Sequence, residues 1–302
     1  MPNIIRWIVM VILTASFALF DDCPALETNT DWPAAQAAAE KGAAKAQYAL
    51  GRRYANGIGV NRDYAKAVGY LRESADQGYP EAEVLLGSLY GQGRGVPRNV
   101  NMAVSWYEKA ANQGNALAQY AMGNFHAAGR GVTNDMAEAI RWWRKAADQD
   151  QVEAEAALGQ IYLIPATPYG TNFLNYKEAF RWLSKAAKEG SIGAMNNLGV
   201  AYENGYGVKI DYPAAAKWYR AAALKGNGQA QANLGQLYYY GRGLDRDLVA
   251  AYAWFKLSDS QGNNLGKFNL ENLQSLSLLD PRQREEGEKK FLELKGTISS
   301  AR

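Results

Sequence analysis

Few residues of this chain have a type and spacing that could do chemistry. There is one histidine, His126, and one cysteine, Cys23. A serine or cysteine nucleophile needs a base within hydrogen-bond reach and a third group to orient that base. Either arrangement would have to recruit His126, which stands where five related segments carry tyrosine in a packing pattern described below. Asp21-Asp22 is an isolated carboxylate pair, with no His or Cys cluster to complete a metal site. Glu285-Glu286 lies in a run of mixed charge and reads as a solvated helix face. Gly-x-Gly triplets occur at Gly57, Gly93, Gly129, Gly205 and Gly241 and resemble phosphate-cradling loops at first glance. No Gly-Lys-Ser/Thr follows them and no strand pattern precedes them, so they read as turns. The sequence therefore predicts no catalytic residue, no cofactor and no metal, and a chain that is not an enzyme.

The elements that would position any site are set by a repeat. A Leu-Gly or Met-Gly pair recurs with its glycine at Gly51, Gly87, Gly123, Gly159, Gly199 and Gly235, in steps of 36, 36, 36, 40 and 36 residues. A fixed period in this range means a stacked array of supersecondary units, so the length of 302 residues does not imply two ordinary domains. Ala46, Leu50 and Tyr54, spaced by four, share one face of a first helix, A. The same slots hold Ala118, Met122 and His126 in the third copy, which assigns the histidine to packing. The Gly-x-Gly turn ends helix A, and Asp63, Asn99, Asp135, Asn175, Asp211 and Asp247 are N-cap residues that start helix B. Helix B carries Tyr70, Trp106, Trp142, Trp182, Trp218 and Trp254 and closes on glycine in five copies, with Asp150 in that place in the third.

The ends differ from the interior. Residues 28–42 reproduce only the second half of the unit and predict an N-terminal cap, residues 43–262 the six repeats, and residues 263–302 a C-terminal helical cap. Glu271 and Gln274 stand in the Gly and Tyr slots of a last A-type helix, and Asp280-Pro281 predicts a further helix reaching about Leu294. At the start, Arg6 precedes an apolar run from Trp7 to Phe20, with small residues around Ala18. Residues 1–18 read as a secretory signal peptide and 19–27 as a linker, which implies a periplasmic or secreted protein. The alternative is an inner-membrane anchor formed by residues 4–20, which are near the minimum length for a span. The acidic pair before Cys23 argues against lipidation. A net charge of +3, from 33 Lys+Arg against 30 Asp+Glu, gives no electrostatic case for nucleic acid or an anionic membrane surface.

Ala118-Gln119-Tyr120-Ala121-Met122-Gly123 followed by Gly129-Arg130-Gly131-Val132, and Ala214-Ala215-Ala216-Lys217-Trp218-Tyr219-Arg220-Ala221-Ala222, resemble Sel1-like repeats, the longer relatives of tetratricopeptide repeats. The resemblance runs over about residues 28–275. It implies an all-α fold, a right-handed α/α solenoid of helix-turn-helix units, acting as an adaptor in protein complexes. Exported members are implicated in envelope regulation, polysaccharide export, motility and host contact. A cysteine-rich branch linked to β-lactam binding shares cysteines that this chain lacks.

The same resemblance places helix A on the concave side of the array. Positions two before, two after and five after the Leu slot turn away from the Leu face. They offer Tyr48, Arg52, Tyr120, Asn124, Gln160, Asn196, Glu203, Gln236 and Tyr239 as solvent-facing groups suited to an extended peptide, with amides for its backbone and tyrosines for its side chains. The fourth A–B connection, Leu163 to Leu174, is four residues longer and lacks the Gly-x-Gly turn; Tyr169 and Phe173 there read as contact residues of a binding loop or as a tolerated insertion. The expected partner is a protein or peptide of the cell envelope. A glycan, bound by an accessory protein or enzyme of peptidoglycan or exopolysaccharide metabolism, is the alternative.

Overall fold

The computed structural model describes residues 32–163 and 173–300, and all the regular structure among them is helical. The fifteen helices are α1 (Trp32–Glu40), α2 (Ala44–Asn56), α3 (Tyr64–Ala75), α4 (Pro80–Gln92), α5 (Val100–Asn112), α6 (Ala116–Ala128), α7 (Met136–Ala147), α8 (Val152–Ile161), α9 (Tyr176–Lys188), α10 (Ile192–Asn204), α11 (Tyr212–Leu224), α12 (Gly228–Tyr240), α13 (Leu248–Asp259), α14 (Asn264–Ser275) and α15 (Pro281–Ser300). From α2 to α13 the even-numbered helices are A helices and the odd-numbered ones B helices. The residues proposed as signal peptide and linker, Cys23 and Tyr169 lie outside the described residues. The chain forms two compact units, residues 1–154 and 155–302.

In the first unit α2 pairs with α3, α4 with α5 and α6 with α7, while α1 packs on α2 as the half-repeat cap. Each B helix begins where the sequence places an N-cap: the side chains of Asp63, Asn99 and Asp135 accept the backbone N–H three residues on, each at 3.0 Å. Each A helix stops at a left-handed glycine; Gly93, at φ 72°, donates its N–H to the Leu89 carbonyl. The second glycine of that turn has a different cause. At Gly95, also with positive φ, a Cβ would collide with the Tyr64 carbonyl at the start of the preceding B helix. The turn glycines thus serve stacking of neighbouring hairpins as well as helix termination.

The second unit follows the same plan with α10–α11 and α12–α13, and Gly159 of α8 lies against Leu183 of α9. Asn175, Asp211 and Asp247 cap their B helices. The C-terminal cap is α14 packed on α13, with α15 laid across α13 as well. Asp280 and Gln283 form a reciprocal capping box at the start of α15, each side chain accepting the other's backbone N–H, at 2.8 and 3.0 Å. This helix runs on to Ser300, six residues past the end expected from sequence, because Phe291 and Ile298 are both buried along it.

Packing between A and B helices explains the repeated Leu-Gly pair. Leu50, Leu86, Leu158, Leu198 and Leu234 are essentially inaccessible to solvent, each burial contributing about 1.5–3 kcal/mol. The adjacent glycine faces the B helix, at the residue after the repeated aromatic. A Cβ on Gly51 would lie 2.5 Å from the Leu71 side chain, and on Gly199 and Gly235 it would lie 2.6 Å from the rings of Tyr219 and Phe255. The helix-propensity cost of glycine, about 1 kcal/mol, is offset by letting large B-helix side chains lie against the A backbone. At the third closing position Asp150 adopts φ 61°, the conformation that glycine supplies in the other copies.

Candidate functional site

In the third and fifth repeats, residues two or five beyond the Leu slot on the A helix are engaged by B-helix side chains. In the third, Asn124 Oδ1 accepts a hydrogen bond from Trp143 Nε1 at 3.1 Å, and both residues are buried. In the fifth, Tyr219 Oη donates to Glu203 at 2.7 Å. Burial, followed by the adjacent Glu203 carboxylate, drives the Tyr219 hydroxyl far above its usual pKa, so the hydroxyl keeps its proton and remains a donor at any ordinary pH. The second repeat differs, because it carries the small residues Ser88 and Gly91 in these two slots. A cleft of about 500 Å³ opens there between α4, α5 and α6.

Val100, Ala103, Ala121 and Phe125 give the cleft apolar walls, and Tyr107 lies at its side. Burial pushes the Tyr107 hydroxyl up to about 12, with a hydrogen bond to Ser88 acting the other way. It is therefore a neutral group at physiological pH. Gln92 Nε2 donates to Ser88 Oγ at 2.7 Å. The polar edge consists of Arg94, Arg98 and Arg130, and no carboxylate lines the cleft. Arg94 donates to Tyr64 Oη at 3.3 Å and lies over that ring at 5.5 Å. Arg98 donates through Nε to the Gly91 carbonyl at 3.1 Å, which closes the end of α4. Arg130 is exposed in the turn after α6. A carboxylate or another planar anion is what three guanidinium groups beside an apolar wall can hold.

The residues proposed from sequence that the structure describes fall into two groups. Tyr120, Asn124 and Asn196 are buried, which corrects the expectation that they face solvent. Asn196 accepts from Asn233 of the next A helix at 3.2 Å, showing the cause: an A helix packs on its own B helix and on neighbouring repeats, so more than one face is covered. Tyr48, Arg52, Gln160, Glu203, Gln236, Tyr239 and Phe173 are half-buried. Among the described residues of the set, Asn124 is the one that lines the cleft. His126 is half-buried on α6, and its Nδ1 is buried without a hydrogen-bond partner. No group of three or more His, Cys, Asp or Glu among the described residues could hold a metal ion, and no described helix is long and apolar enough to cross a membrane.

Six consecutive segments, residues 44–79, 80–115, 116–151, 152–191, 192–227 and 228–263, match the Sel1 repeat. The chain is a Sel1 repeat protein. It is similar to the crystal structure of a protective antigen present in uropathogenic Escherichia coli strains, which displays the same type of fold. That similarity has 33% identity and a TM-score of 0.81, over 97% of this chain and 62% of that one. The chain thus spans under two thirds of the antigen's length. It is also similar to a Sel1 repeat protein from Oxalobacter formigenes, with 32% identity and a TM-score of 0.69, over 82% of this chain and 96% of the other. No curated protein matches it.

Two features of this Sel1 array escaped the sequence reading. One is a buried polar slot three residues before the Leu slot, held by Gln47, Glu83, Gln119, Glu155 and Gln231. Gln47, Gln119 and Gln231 each donate to a carbonyl near the end of the preceding B helix, tying successive repeats together. Its signal was a polar residue recurring at the repeat period inside an otherwise apolar helix. The other is the cleft itself, whose signal was the pairing of Ser88 with Gly91, the smallest combination at those two slots among the six copies.

Proposed function

We propose that this Sel1 repeat protein is a non-enzymatic scaffold of the cell envelope that binds a protein or peptide partner on its A-helix face. The observation that carries this reading is the open cleft between α4, α5 and α6, beside the small residues Ser88 and Gly91. A mixed surface of apolar wall and fixed polar groups suits a peptide, whose side chains and backbone present both. The envelope location rests on the apolar segment at residues 4–20 of the sequence.

The test is recovery of the protein, tagged at its C-terminus so that N-terminal processing is left to the cell, beside a sedimentation assay with purified peptidoglycan. The expected result is a discrete protein partner whose recovery falls when Gly91 is replaced by tyrosine. Saturable binding to peptidoglycan with no protein partner supports the glycan alternative and contradicts the proposal.

A further inference from the structure

We infer that the cleft in the second repeat is an acidic-peptide site, taking an Asp or Glu side chain against Arg98 and Arg130 and an adjacent large apolar side chain against Val100 and Phe125. The inference rests on the binding reading above and names the ligand chemistry.

Charge is the first support. The whole chain is almost balanced, with 33 basic and 30 acidic residues, yet this cleft is lined by three arginines and no carboxylate. The excess is therefore local. A carboxylate brought there meets no like charge from the lining and finds planar donors that match it two by two. Availability of those donors is the second support. Arg98 uses Nε on the Gly91 carbonyl, which fixes the direction of its guanidinium and leaves its two terminal nitrogens without a protein partner among the described residues. The Arg130 guanidinium has no hydrogen bond or ion pair among the described residues, its backbone N–H alone being used, on the Phe125 carbonyl. Holding a side chain in place before a ligand arrives lowers the ordering cost of binding.

Comparison of repeats within the chain gives the third support. The sixth repeat has the same two arginines, Arg242 and Arg246, and Arg246 Nε likewise donates to the carbonyl five residues past the Leu slot, here Tyr239, at 3.2 Å. There the slot occupied by Gly91 is filled by Tyr239, and Arg242 lies over the rings of Tyr212 and Tyr240. Arginine pairs in this turn thus have a capping and stacking role that needs no ligand. The second repeat has glycine in that slot, a cleft beside its arginines, and a third arginine, Arg130, from the next turn. The apolar walls argue for a peptide over a bare anion, since inorganic phosphate would leave Val100, Ala121 and Phe125 uncovered.

The experiment probes the full-length protein on an array of degenerate octapeptides. Each spot fixes one residue pair: Asp or Glu beside Leu or Phe, the matching Asn or Gln pair, a Lys pair, or Asp or Glu beside Ser. The acidic-apolar spots should exceed their amide counterparts by about tenfold, and the signal should fall with rising salt. Arg130→Gln, at an exposed turn position, and Gly91→Tyr, which copies the sixth repeat, should each abolish the preference while leaving the melting temperature within a few degrees. Peptide binding without acidic preference, or a preference that survives both variants, overturns this inference and leaves the scaffold reading standing. Displacement by millimolar inorganic phosphate as effective as that by the best peptide overturns it too, by assigning the site to a small anion. Absence of any peptide signal together with absence of a recovered protein partner overturns both.

Discussion

Gly199→Ala is the substitution for which the repeat packing makes the sharpest prediction. Gly199 sits mid-helix in α10, where replacing glycine by alanine in open space would stabilise by about 1 kcal/mol. A Cβ there would lie 2.6 Å from two carbons of the Tyr219 ring, against the 3.4 Å at which ordinary contact begins, so the ring must retreat by 3.4 − 2.6 = 0.8 Å. Tyr219 is wholly buried and its hydroxyl is held by Glu203 at 2.7 Å, so it cannot swing aside cheaply. Overpacking of this kind costs about 1–3 kcal/mol. With the ring held at both ends, the net effect should be a destabilisation of about 1–2 kcal/mol after the helix gain. Gly69→Ala is the control, since Gly69 lies within α3 with nothing inside 4 Å of its Cβ position; it should stabilise by up to about 1 kcal/mol. Urea unfolding followed by circular dichroism and tryptophan fluorescence measures both. In a Tyr219→Ala background the Gly199 substitution should become neutral or stabilising. If Gly199→Ala is as stable as Gly69→Ala, or if the Tyr219→Ala background makes no difference, the explanation of the repeated glycine is wrong.

Three further outcomes are expected. Glu155 is fully buried and ion-paired to the half-exposed Lys185 at 2.7 Å, so Lys185→Met, which removes a countercharge from a buried carboxylate, should cost up to about 3 kcal/mol, and more than Glu155→Gln does in the same urea unfolding. Burial opposes ionisation of Glu288, but its hydrogen bonds from Lys256 and Tyr252 prevail and hold it below the ordinary 4.5; its contribution is thus present above that value and lost as pH falls through the lower folded one. Lys256, where burial lowers the pKa but the bond and charge of Glu288 and Tyr252 together prevail, and Tyr252, raised by burial and then by Glu288, are shifted upward; their contributions hold below about 10 and fade as pH rises through the folded values. Urea midpoints of Glu288→Gln and the native chain should therefore differ near neutrality and converge in acid. Replacing the N-cap in Asp211→Ala removes the acceptor of the Ala214 N–H and should cost about 1 kcal/mol, read by the same denaturation.

The hairpins were legible in the sequence because backbone geometry dictates residue type at their ends. Asp or Asn caps all six B helices, and glycine supplies the left-handed residue that ends helix A in five of the six repeats. The A-face residues were less legible. A helical wheel drawn for one repeat assigns Tyr120, Asn124 and Asn196 to solvent, whereas the stacked array buries them against Trp143 and Asn233 or within the surrounding helices. The partner of the helix-A glycine was also hidden. It is the residue after the repeated aromatic, and that position varies among Leu71, Tyr107, Trp143, Leu183, Tyr219 and Phe255. The cleft depends on two small residues coinciding in one copy, which the common pattern by its nature does not mark.

Site-specific photo-crosslinking in the living cell tests the binding claim most directly. A benzophenone residue at Gln92, on the cleft, is compared with one at Glu108, exposed on the neighbouring B helix α5. A discrete protein adduct from position 92, absent from position 108 and lost when Arg130 is changed to glutamine, is the predicted result. Adducts of equal yield from both positions, or none from position 92 while the protein is present and folded, would contradict a partner site on the A-helix face.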